Sequence, residues 1–85
     1  MAEHAAERLL WRQKPGWSEA GDEALRRWFI AVLQARLGDC QLASIMDATG
    51  LSKQLALAIR SGRHIPHPRH FEALAKLAGV EAPAL

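Results

Sequence analysis

The sequence predicts an all-α fold, a compact bundle of about five short helices, and three observations carry that expectation. Between Leu25 and Leu37 apolar residues recur at helical spacing. Glycine and proline punctuate the chain at intervals that suit short helices. No stretch alternates apolar and polar residues with the period of two that a half-buried strand requires.

The elements follow in order. Residues 2–13 are rich in helix formers, and Lys14-Pro15-Gly16 breaks them, because proline cannot continue a helix. Residues 17–21 read as a connector. Asp22 is the expected cap of a helix reaching Leu37, with Glu23 favourable near its positive end. Leu25, Trp28, Phe29, Val32, Leu33 and Leu37 form one broad apolar stripe on it, and Gly38 stops it. Asp39 is the expected cap of a short helix from Cys40 to Ala48 that buries Leu42, Ile45 and Met46. Thr49-Gly50-Leu51-Ser52 interrupts, with Gly50 suited to a left-handed helix end. Ser52 then caps a helix over residues 53–61, which Gly62 terminates. After the loop 63–67, Pro68 suits a first helical turn, and the last helix buries Phe71, Leu74, Ala75 and Ala78 before Gly79. Val80 is expected to fold back on the core. This divides the chain into an N-terminal helix and connector (1–21), a compact unit (22–80) and a flexible tail (81–85).

Eighty-five residues hold one core. An apolar content of 49% fits a globular chain, and no apolar run approaches the length of a membrane span. The opening residues lack a signal peptide's apolar stretch and cleavage site, and the single cysteine, Cys40, permits no internal disulfide. A cytoplasmic protein with no membrane association is the expectation. Net charge is only +2, but its distribution is uneven: residues 1–51 carry −1 and residues 52–76 carry +4. His64, His67 and His70 fall in the basic block. Such a block is either a solvated face or a surface that meets an anion.

The run from Leu42 to Ser61 places two short amphipathic segments around a glycine turn, with Ile45, Leu51, Ala56 and Ile59 as the apolar contacts between them. Ala56 is small enough to let the helices approach. Beyond it come Gly62, Pro66, Leu74-Ala75 and Gly79-Val80. In this order the residues resemble the phage-repressor and Cro-like (lambda repressor-like) helix-turn-helix family, over residues 22–80. Met46 departs from the alanine usual four residues before the turn glycine, and a larger side chain there favours a wider crossing.

The resemblance implies sequence-selective binding to double-stranded DNA by a small transcriptional regulator, acting as a homodimer on a two-fold site. The helix from Lys53 would then lie in the major groove, with Lys53, Gln54, Leu57 and Ala58 toward base edges. Gln54 is suited to adenine and Lys53 to guanine or a phosphate, whereas Leu57 and Ala58 can read only a thymine methyl. Gln41 and Ser44 would approach one phosphate, and Arg60, Arg63, His64, Arg69 and His70 others. For Arg60 and Arg69 the competing reading is ordinary solvated charge.

His64, His67 and His70 have a ligand-like spacing, with Cys40 a conceivable fourth group, but Pro66 and Pro68 prevent one helical face from presenting the rings, and no metal site is expected. His67 suits a helix cap. No catalytic constellation, cofactor motif or small-molecule site is apparent, so the chain is not expected to be an enzyme. Trp11 and Trp17 flank the proline break; they either pack the first helix onto the bundle or form a partner or dimer surface. Outward apolar residues Leu57 and Ala58 keep two alternatives open. One is a protein-interaction module that retains the fold; the other is a DNA-targeting subunit of a larger complex.

Overall fold

The structure, a computed structural model, describes residues 8–83. All regular elements among them are helical. The first helix, α1, is described over residues 8–12; its expected beginning at residues 2–7 lies outside the described residues, as do residues 84–85 of the tail. Then come α2 (Glu19–Trp28), a π-helical turn (Phe29–Leu33) and α3 (Gln34–Leu37), continuous with one another. α4 (Leu42–Thr49), α5 (Lys53–Arg60), a 3-10 turn (Pro68–His70) and α6 (Phe71–Ala78) complete the bundle.

The π turn explains which residues of the long helix are buried. Leu25, Phe29, Leu33 and Leu37 are spaced by four, and all are buried. In an α-helix each four-residue step overshoots a full turn by about 40°, so such a row drifts around the axis. The wider turn, in which the Gln34 N–H donates to the Phe29 carbonyl five residues back, reduces that drift and keeps the row facing inward. The same turn leaves Val32, expected in the stripe, 40% exposed, while Trp28 is half-buried.

Two expected caps are corrected. Ser18, not Asp22, caps α2: its hydroxyl accepts from the Gly21 N–H at 2.9 Å, so the helix begins at Glu19 inside the expected connector. Asp39 caps nothing, because the Asp39 and Cys40 N–H groups still donate to the Arg36 and Leu37 carbonyls and belong to the end of α3. The next helix therefore starts at Leu42 rather than Cys40, after Gln41, which makes no side-chain capping bond.

The remaining punctuation is as expected. Gly50 has φ 71° at the end of α4, and the Ser52 hydroxyl accepts from the Leu55 N–H at 3.3 Å to start α5. Ser61 is the C-cap residue of α5 and Gly62 follows with φ 81°. His67 Nδ1 accepts from the Arg69 N–H at 3.1 Å and so caps the 3-10 turn that leads into α6. Val80 packs against the core, its N–H donating to the Ala75 carbonyl.

Phe29 and Phe71 stack with ring centroids 4.8 Å apart at the centre of the core, which Ile45, Ala56, Ile59 and Leu74 complete. Met46 is accommodated half-buried at its edge, and Ala56 is fully buried, so α4 and α5 pack directly against each other. No helix among the described residues is long and apolar enough to cross a membrane.

Candidate functional site

The exposed face of α5 is fixed by what the helix buries. Ala56 and Ile59 point into the core. At about 100° per residue, Gln54, Leu57, Ala58 and Ser61 lie opposite them, Lys53 and Arg60 lie on one flank, and Leu55 lies on the other. Lys53, Gln54, Leu57 and Ser61 are exposed, and Ala58 and Arg60 are half-buried. The four residues expected toward base edges thus occupy one contiguous surface, and that surface carries no acidic residue of its own.

The loop after α5 is tied to the helix end. The Arg63 and His64 N–H groups both donate to the Ala58 carbonyl, at 2.8 and 3.2 Å, and Arg63 Nε donates to the Ser61 hydroxyl at 3.1 Å. Both side chains are exposed; Arg63 lies against Ser61 on the outward face, and His64 turns to the Leu55 side of the helix. Gln41 is exposed at the start of α4 and Ser44 is half-buried one turn in, at the far end of that helix from Gly50.

Arg69 and His70 are half-buried and lie farther away, in an open groove of about 750 Å³ between α1 and the 63–70 loop. The groove also gathers Arg8, Arg12, His64 and His67, over a floor that includes Leu51, Leu55 and Pro66. No Asp or Glu lines it among the described residues. Arg8 and Arg12 have no expected role in the sequence, where residues 1–21 stand apart from the compact unit. Their spacing of four, which puts both on one face of a helix, is the signal that was available.

Burial holds His67 below the ordinary histidine range; the Arg8, Arg26 and Arg12 charges act in the same direction and Asp22 opposes them. Burial and these arginine charges both favour the neutral ring, the form whose Nδ1 can accept the Arg69 N–H. Trp11 packs edge-on against this ring at 5.8 Å.

The two tryptophans turn inward. Asp22 is only 8% exposed, and its two carboxylate oxygens accept from the indoles, Oδ1 from Trp11 Nε1 at 2.9 Å and Oδ2 from Trp17 Nε1 at 3.0 Å. Both indoles are half-buried. These bonds tie α1, through Trp11, and the connector, through Trp17, to the start of α2. Lys14 Nζ above the Trp11 ring at 4.5 Å and the Arg12 guanidinium 5.9 Å from the Trp17 ring add to that attachment.

No described group of three or more His, Cys, Asp or Glu side chains is placed to hold a metal ion, and the Cys40 thiol donates to the Arg36 carbonyl. No family model, curated protein or solved structure matches the chain. The likeness to the phage-repressor family accordingly rests on the residues quoted for it.

Proposed function

We propose that this chain is a sequence-selective double-stranded DNA-binding protein that inserts α5 into the major groove as the second helix of a helix-turn-helix. The observation that carries the reading is the surface of α5. An exposed helix face begins with Lys53 and Gln54, is flanked by Arg60, and is continued by Arg63 in a loop bonded to the helix end. A helix of this size fits a groove about 12 Å wide, Gln and Lys are suited to base edges, and arginines beside it are suited to phosphates. The basic half of the chain, +4 over residues 52–76, is the half that carries this face. Acting as a dimer on two half-sites about one helical turn apart is the remaining part of the proposal.

The reading is tested by titrating the protein onto duplex DNA across a salt series. Affinity is expected to fall steeply as salt rises, because each neutralised phosphate releases condensed counterions. Absence of binding at low salt, or a response indifferent to salt, overturns it.

A protein-interaction module is the second reading, favoured by Leu57, which sits on the same outward face with 37% of its surface exposed. The two separate on the Lys53→Ala/Gln54→Ala variant, which abolishes preference among duplex sequences under the first reading and leaves partner binding unchanged under the second.

A further inference from the structure

We propose that the groove between α1 and the 63–70 loop seats the sugar–phosphate backbone of the DNA strand on the Leu55 side of α5, with Arg8 and Arg12 binding its phosphates. The inference rests on the duplex-binding reading of α5 and extends the interface to an element outside the paired helices.

A helix in the major groove has a phosphate ridge on each side. On α5 the two sides are unequal. Lys53 and Arg60 supply positive charge on one flank, whereas the other carries only Leu55. The cations for that second ridge come from elsewhere in the fold. Leu55 is part of the floor of the groove, and Arg8 and Arg12 line it together with His64, Arg69 and His70. Arg8 and Arg12 are four residues apart on α1 and exposed, so one helical face presents both guanidinium groups. Their planar forks match phosphate oxygens in a way that a point charge does not. The lining includes no described carboxylate to compete for them, and Asp22, the acidic group felt at His67, already accepts from two indoles. The Trp11 indole, bonded to Asp22 and packed against His67, also fixes α1 in place, so the two arginines are held in position rather than carried on a loose arm.

The test compares the full chain with its Arg8→Gln/Arg12→Gln and Arg8→Lys/Arg12→Lys variants on one duplex across a salt series. Losing two phosphate contacts is expected to make the slope of log affinity against log salt shallower by about 2, with preference among sequences unchanged. The lysine variant, which keeps both charges, is expected to restore the slope, and an unfolding midpoint of the glutamine variant equal to the parent's excludes loss of α1 packing, since Arg12 also borders Trp17. An unaltered slope in the glutamine variant, with the parent chain binding normally, overturns the inference and leaves the α5 reading standing. A parent chain that binds no duplex removes both. Should the glutamine variant be unfolded, phosphate-ethylation interference on the parent complex decides. Ethylation of the strand beside Leu55 is expected to block binding, and indifference there contradicts the proposal.

Discussion

Asp22 shows how much a single side chain organises in this protein. It is the one buried charged residue described, and each of its carboxylate oxygens takes an indole N–H from a different part of the N-terminal segment. Hydrogen bonds to a charged acceptor are stronger than neutral ones, and removing the acceptor strands both donors. Replacing Asp22 with alanine is expected to cost about 2–3 kcal/mol, measured by denaturant unfolding. Tryptophan emission should shift to the red as the indoles gain water. Asp22→Asn should recover only part of this, because its amide nitrogen faces one of the two N–H groups. His67 makes a second prediction. Its pKa is lowered in the folded chain, so folding favours the neutral ring. Its contribution is therefore complete above the unfolded value of about 6.5 and is lost as pH falls below that toward the folded value. Thermal melts should show stability declining below about pH 6.5. His67→Asn, which retains a capping acceptor but does not titrate there, should flatten that decline.

At the scale of elements, the decisive piece is the turn that joins α4 to α5. Gly50 adopts φ 71°, and a Cβ built there meets nothing within 4 Å. Gly50→Ala should therefore destabilise through backbone strain alone, by about 1–2 kcal/mol, while Gly50→Asn costs less because asparagine visits this conformation more readily. Equilibrium unfolding of the two variants measures the difference. Gly62 differs in kind, since a Cβ there would come within 2.7 Å of the Gln34 side-chain amide as well as meeting backbone strain. The turn chemistry was legible in the sequence, because Gly50, Ser52, Gly62 and Gly79 each act through local geometry. The entry caps of α2 and α4 were less legible. Ser18 and Asp22 both suit a cap, and only the positions of Trp11 and Trp17 in space show that Asp22 is engaged elsewhere. Asp39 failed for a related reason: its backbone was still completing α3. The π turn has a sequence trace in the strict four-residue row Leu25, Phe29, Leu33 and Leu37, which also fits one edge of a broader α-helical stripe.

Over the whole molecule, folding gathers charge that the sequence disperses. The basic block of residues 52–76 was visible directly, and so was the outward row on α5, which follows from helix period and the burial of Ala56 and Ile59. The groove was not visible. It forms only when α1, held by the Trp11–Asp22 bond, comes to rest beside the 63–70 loop, which joins Arg8 and Arg12 to cations far along the chain. Local periodicity carries no information about such a juxtaposition. The Ile30 side chain, 51% exposed on the π turn, shows the same limit, since its neighbours in sequence alone do not say which side faces water.

The central claim is that α5 reads duplex DNA through the surface that starts at Lys53 and Gln54. Selection of bound sequences from a random duplex library, run in parallel with the parent chain and its Lys53→Ala/Gln54→Ala variant, tests it most directly. The parent is expected to enrich one defined sequence, arranged as two symmetric half-sites if it binds as a dimer, and the variant to enrich none. Recovery of an unenriched pool with the parent, or of the same sequence with both chains, would contradict the account.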